Sequence, residues 1–305
     1  MNILLTGAAG QLGSELFPLL SARGTLTATD RSKPESAMGI WSELDIGNGA
    51  KLEDLLNRSH PELIVNTAAY TAVDQAEADP ETAFIVNAEL PARLAAWAKR
   101  NDARLLHYST DYVFDGKATK PYKEMDLTAP KSVYGESKLA GERALEDAAC
   151  NYAILRTSWV YSSHGKNFVL SMLDLARKGL SLKIVDDQHG CPTWARNLAL
   201  ASIAVIENWQ SATPVEHSGV FHYCDDGNVS WYGFALKIFN LAVTAGLLEN
   251  VPETAAVTSS DFPQLAERPK WSVLDTSRIA EAFDIQPVSF DASLKAVIDE
   301  IKARV

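Results

Sequence analysis

Cysteine is scarce in this chain. Its 305 residues include three, Cys150, Cys191 and Cys224. An odd number at wide spacing excludes a disulfide framework or a zinc knuckle and points to a reducing cytoplasm. Long apolar runs are also missing: none approaches the ~18 residues that span a bilayer, so no membrane-crossing helix is expected. No basic run occurs, and the formal net charge is −11. A chain of that sign is poorly suited to a phosphate backbone, so no nucleic-acid partner is expected. The opening MNILLTGAAG enters an apolar strand without a basic n-region, so no signal peptide is expected. Internal repeats, low-complexity segments and Gly/Ser linkers are absent. What remains is ordinary globular composition, 47% hydrophobic, enough for one large domain or two closely joined lobes.

Short apolar runs alternate with amphipathic stretches through the first half. Asn2–Thr6, Thr25–Thr29, ELIVNTA, Arg104–Ser109 and Tyr152–Val160 read as strands. Between them lie helical patterns, one with Pro18 as an irregularity and one from near Pro80 to Arg100 with a kink expected at Pro91. That rhythm predicts βαβ units and a Rossmann-type, doubly wound parallel sheet, with strands covered on both faces. After about residue 160 the alternation loosens. Residues 1–160 are expected to form a dinucleotide-binding domain whose sheet is completed by parts of about 181–210. A smaller, partly helical substrate lobe is expected from about 161–180 and 211–305, interleaved with it.

GAAGQLG, Gly7 to Gly13, follows the first strand and opens the first helix. Gly7 permits a tight turn, Gly10 lets a pyrophosphate approach the backbone, and Gly13 lets helix and strand pack closely. The helix N-terminus offers free N–H groups and partial positive charge to phosphates. Three glycines alone define no more than a turn. Here a strand precedes them, a helix follows, and Asp30 ends the next strand, placed for an adenosine ribose hydroxyl. Arg31, Ser32 and Lys33 could instead hold a 2′-phosphate, so NADPH and NADH both remain open.

VYGESKLAGE places Tyr134 and Lys138 four residues apart, on one face of a helix. A free tyrosine, with a pKa of about 10, is a poor acid–base catalyst at neutral pH. A lysine cation one turn away favours the phenolate and can also bond a nicotinamide ribose. STDYVFDG, at the end of a strand, supplies Thr110 to hold a substrate oxygen. A Tyr-x-x-x-Lys by itself is most simply an exposed pair; the glycine turn and the Ser-Thr loop in the right order argue for chemistry.

With these motifs in view, the chain resembles the extended short-chain dehydrogenase/reductase superfamily and, within it, the dTDP-4-dehydrorhamnose reductase family. GAAGQLG, NTAAYTAVDQAE, VNAELPARLA, STDYVFDG, YGESKLAGE, RTSWVY, DDQHGCPT and RPKWSVLD carry the resemblance, from residue 7 to residue 275. It implies NAD(P)H-dependent reduction of the C4 ketone of dTDP-4-dehydro-6-deoxy-L-mannose to dTDP-L-rhamnose. It makes Tyr134 the proton donor, Lys138 its activator and Thr110 the partner at the carbonyl oxygen. It places Gly10, Gln11, Leu12, Asp30, Asp45, Ile46, Ala68, Ala69 and Tyr70 around the cofactor. Asp111 and Trp159 match positions that contact the nucleotide sugar, and the loop with Gln188 and His189 is implied to line the cleft. Tyr112 stands where dehydratases of the superfamily carry a second acid, which favours simple reduction. The alternatives are a reductase or epimerase for another nucleotide 4-ketosugar, or a non-catalytic regulatory subunit of the same fold.

Some family members join subunits through a divalent metal held by glutamates. Glu15 is present at one such place, but WARN, Trp194–Asn197, brings no acid after DDQHGCPT. A metal site is therefore doubtful, a monomer or homodimer is expected, and Glu15 reads as a solvated carboxylate. Arg268 could clamp a diphosphate through its planar fork or form a surface salt bridge. Asp74 and Glu77 read as ordinary carboxylates at a helix start.

Overall fold

The computed structural model describes residues 1–34, 39–211, 218–262 and 264–304. β1 (Asn2–Thr6) leads through α1 (Gln11–Ser21) to β2 (Thr25–Asp30) and β3 (Ile40–Glu43). The chain then returns through α2 (Gly49–Ser59) to β4 (Leu63–Asn66). α3 (Val73–Ala78), α4 (Pro80–Phe84) and α5 (Leu90–Asn101) precede β5 (Arg104–Thr110). α6 (Val133–Ala148) then connects to β6 (Asn151–Thr157). A seventh strand, Gly219–His222, completes one sheet in the order 219–222, β6, β5, β4, β1, β2, β3. Every neighbouring pair in it is parallel. The order reverses between β1 and β4, so the carboxyl ends of those strands open the crevice where such sheets bind ligands.

Apolar side chains fill both faces of the sheet. α1 and the helix Ala195–Ser211 cover one face, with Leu16, Leu20 and Leu198 inaccessible to solvent. α2, α5 and α6 cover the other through Leu55, Leu94 and Leu145. A separate apolar cluster joins the helices Phe168–Arg177, Trp231–Ala245 and Phe290–Lys302.

The expected completion of the sheet from about 181–210 is not what the structure shows. Leu182–Val185 pairs with Thr254–Val257 in a small sheet of its own, and Leu182 and Ile184 pack into the lobe. A four-residue apolar run satisfies either environment, so its pattern does not choose between them. The 195–211 segment covers the sheet as a helix, and the closing strand comes from 219–222, within the span expected to be lobe.

The long helix expected near 80–100 is interrupted just before Pro91. Pro91 has no N–H to give the carbonyl of Asn87, four residues back. The chain widens into a π-turn over Ile85–Glu89, where the Leu90 N–H reaches the Ile85 carbonyl. Pro18, by contrast, sits within a continuous α1. Among the described residues, no helix is long and apolar enough to cross a membrane.

Candidate active site

The glycine turn lies where β1 hands over to α1. Gly7 has φ +66°, and a Cβ there would sit 2.6 Å from the Ala68 nitrogen. A Cβ on Gly13 would sit 2.2 Å from the Gly7 carbonyl oxygen, so the helix can approach the strand only at glycine. No side chain caps α1, which leaves the N–H groups of its first turn for an anion. In front of the turn is a cavity of about 620 Å³ lined by Gly7, Gly10, Asp30, Arg31, Asp45, Ile46, Ala68, Ala69 and Tyr70, among others. Nine of the sequence-predicted cofactor residues thus share one wall system. Asp30 is set by its own contacts: one carboxylate oxygen accepts the Ala9 N–H at 3.0 Å and the other the Arg31 N–H at 2.7 Å.

The side chains of two further expected cofactor residues, Gln11 and Leu12, are engaged within the protein. The Gln11 amide oxygen accepts from Ser162 Oγ at 2.8 Å and from Asn167 Nδ2 at 2.9 Å, tying α1 to the 162–167 loop. Leu12 packs against the sheet core. A residue that the sequence reading missed is Asn87, in the π-turn. It is buried; its amide oxygen accepts the Tyr70 N–H at 2.8 Å, and its amide nitrogen donates to the Tyr70 carbonyl and to Ser137 Oγ at 3.0 Å each. It therefore locks the cavity wall to α6. The available signal was Pro91, four residues downstream.

α6 starts at Ser132, whose hydroxyl accepts the Gly135 N–H, and the Glu77 carboxylate accepts the Val133 N–H at 2.8 Å. Glu77 is thus a cap for the helix that carries Tyr134 and Lys138. Tyr134 clusters with Tyr70 beside the cavity, and the Thr110 hydroxyl at the end of β5 lies near its phenol. Burial pushes the phenol up to about 12, the Thr110 contact works the other way, and the Asp111 charge adds to the rise. Thr110 Oγ1 donates to Asp111 Oδ1 at 3.0 Å, while Asp111 Oδ2 is buried with no partner among the described residues. Burial pushes the Asp111 carboxyl up to about 6, against the hydrogen bond from Thr110.

Lys138 differs from expectation. It is buried, and its ammonium donates to the Tyr108 carbonyl at 2.6 Å. Burial pulls its pKa down to about 8, partly offset by Glu142. It is not among the groups that shift the Tyr134 phenol. A buried ammonium needs an acceptor, and the strand carbonyl supplies one. The lysine therefore shares the helix face with Tyr134 while its charge is held against β5.

The expected substrate residues have contacts of their own. Trp159 lies two residues beyond Thr157, the register partner of Thr110. Gln188 is buried and donates to Ser259 Oγ at 2.9 Å, joining two loops. Arg268 is held by the Asp74 carboxylate in a two-pronged ion pair, and the same carboxylate accepts the Leu265 and Ala266 N–H groups at 3.1 Å each. Of the two readings of Arg268, the ion pair is the contact observed. Asp74 is accordingly more than a helix-start carboxylate, because it fastens the 265–268 loop to α3. Tyr112 stands edge-on to Tyr134, with ring centroids 5.5 Å apart.

Glu15 is not solvated. Its side chain is 12% exposed and accepts from Arg196 Nε at 2.9 Å, and the same guanidinium pairs with Glu300. The arginine of WARN thus supplies positive charge between two carboxylates. Among the described residues, no group of three or more His, Cys, Asp or Glu side chains is arranged to hold a metal ion.

A parallel sheet with a glycine turn at β1, and a Tyr–Lys pair on the helix between β5 and β6, define an extended short-chain dehydrogenase/reductase. The chain belongs to the family described as the RmlD substrate binding domain, which it matches over residues 1–303. It is 42% identical to a dTDP-4-dehydrorhamnose reductase of Aggregatibacter actinomycetemcomitans, over 97% of this chain and 98% of the relative. A dTDP-4-dehydrorhamnose reductase structure from Clostridium acetobutylicum superposes with a TM-score of 0.85 at 36% identity, covering 99% of this chain and 100% of that one. The Bacillus anthracis counterpart, solved in complex with NADP, gives 0.85 at 31% identity, covering 98% of each chain.

Proposed function

We infer that the chain reduces the C4 ketone of dTDP-4-dehydro-6-deoxy-L-mannose to dTDP-L-rhamnose. The observation that carries this is a Tyr134 phenol, protonated across the neutral range and close to Thr110, beside a cavity of about 620 Å³ in front of the glycine turn. Gly7, Gly10 and the uncapped start of α1 fit a pyrophosphate, and Asp30 and Arg31 lie where the adenosine ribose would be held. Bound NADPH or NADH supplies the hydride to C4. Tyr134 gives its proton to the oxygen that becomes the alcohol, and Thr110 orients that oxygen. Asp111, with a free carboxylate oxygen in a buried setting, accepts a sugar hydroxyl. Trp159 and Arg268 act on the nucleotide-sugar side, Arg268 by exchanging Asp74 for a phosphate. The Lys138 ammonium serves the nicotinamide ribose and keeps positive charge near the site. Tyr112, where a second acid would be needed to expel water, leaves reduction as the complete reaction. Three free, buried thiols suit action in a reducing cytoplasm.

The test is NADPH and NADH consumption against a panel of nucleotide 4-ketosugars, with and without a chelator. Turnover should be fastest with the dTDP-6-deoxy-4-ketohexose, and the chelator should leave it unchanged because Arg196 already neutralises Glu15. Preference for another ketosugar would replace the substrate assignment. Loss of turnover restored by magnesium would show that Arg196 does not stand in for a cation.

A further inference from the structure

Trp159 has φ +48°, a left-handed conformation costly for a bulky residue. Something must hold it there. Its indole lies flat on that of Trp231, with centroids 3.5 Å apart and planes 7° from parallel. Gly190 closes the opposite side: a Cβ at that position would sit 2.6 Å from Trp159 Cε2, 2.7 Å from Nε1 and 2.9 Å from Cζ2. The nearest atom is the ring-fusion carbon, so the glycine backbone meets the face of the indole. That face is not the one under Trp231, because Trp231 atoms would then be the nearer ones.

The two jaws are tied together. Val229 pairs with Gly190 and Ser230 with His189 in a short antiparallel ladder. Ser230 also accepts the Gly233 N–H at the start of the 231–245 helix and donates to Asp186, four residues before Gly190. Phe168 packs against Trp231, with ring centroids 4.6 Å apart. With both faces covered, no base or sugar ring can stack on Trp159. Its rim remains, carrying an Nε1–H that makes no hydrogen bond to a described residue.

We propose that Trp231 is a positioning residue for the nucleotide sugar: with Gly190 it clamps Trp159, so that substrate is recognised by the indole rim and its N–H and not by stacking. The proposal rests on the reading of Trp159 as a substrate contact. Loss of the clamp frees Trp159 to leave its left-handed conformation and carries the donor away from its partner.

The experiment compares Trp231→Ala, Trp231→Phe, Trp159→Ala and the double variant Trp231→Ala/Trp159→Ala, using the dTDP-ketosugar and NADPH. Trp231→Ala should raise the sugar KM about 10-fold, with the cofactor KM within about 2-fold of wild type. The phenylalanine variant should fall between. Circular dichroism should show a coupled indole signal in wild type that all variants lose. In the double variant, Trp231→Ala should add nothing to the effect of Trp159→Ala, because the two act as one unit. If Trp231→Ala does not fold, Trp231→Phe carries the same readouts. A raised sugar KM in Trp159→Ala with no change in a folded Trp231 variant would overturn the clamp and leave the substrate reading standing. A silent Trp159→Ala would overturn the reading of Trp159 and the clamp with it.

Discussion

Tyr134→Phe should lower kcat at least ~10²-fold, a rise in barrier of about 2.7 kcal/mol, within the range for loss of a general acid. The phenol is the proposed proton donor, close to Thr110, and its raised pKa keeps that proton available at neutral pH. Phenylalanine keeps the ring that packs against Tyr112 and the Tyr70 cluster, so folding and cofactor KM should change little. Near-normal turnover in the variant would remove Tyr134 from the chemistry.

Lys138→Met should also lose turnover, by about 10- to 100-fold, with a raised cofactor KM. The Lys138 pKa of about 8 adds a signature. Wild-type kcat should fall as the pH climbs through about 8 and the ammonium is lost, and the methionine variant should lack that limb. Stability separates this from an exposed pair, whose removal costs a little at all neutral pH values. The folded protein binds the Lys138 proton less tightly than the unfolded chain does, since its pKa falls from 10.5 to about 8. Wild type therefore gains stability as pH rises between those values, and below pH 8 it carries the full cost of burying the charge. Methionine removes this dependence, so the variant should melt no lower than wild type at pH 7 beyond the loss of one hydrogen bond to Tyr108. An unchanged pH–rate profile with a small stability loss would make Tyr134 and Lys138 a structural pair only.

The first half of the fold was legible because its strands are continuous apolar runs, each followed by a helical pattern, and a parallel sheet needs both. β3, with the sequence Ile40-Trp41-Ser42-Glu43 at the sheet edge, has no such run and shows no fully buried residue. The 219–222 segment reads as a strand, but it could not be placed in the main sheet because its neighbour, β6, lies more than sixty residues earlier, and local pattern carries no information about pairing partners. The placement of the glycine turn, Asp30 and the Tyr-x-x-x-Lys pair was readable because local geometry fixes it. The contacts of Lys138, Glu15, Arg268 and Gln11 were not, since each is decided by a residue brought in from a distant element: Tyr108, Arg196, Asp74 and Ser162. Asn87 was hidden for a related reason, because a proline marks where a helix is disturbed without saying what the displaced residue will grasp.

Hydride transfer to C4 of the sugar is the claim on which the rest depends. The direct measurement is turnover with NADPH deuterated at the transferable nicotinamide position, followed by NMR of the sugar product. The account predicts one deuterium at C4 of the deoxyhexose for each NADPH oxidised, with the hydroxyl proton drawn from solvent. Oxidation of the cofactor with no deuterium in the sugar, or with deuterium at any other carbon, would contradict it.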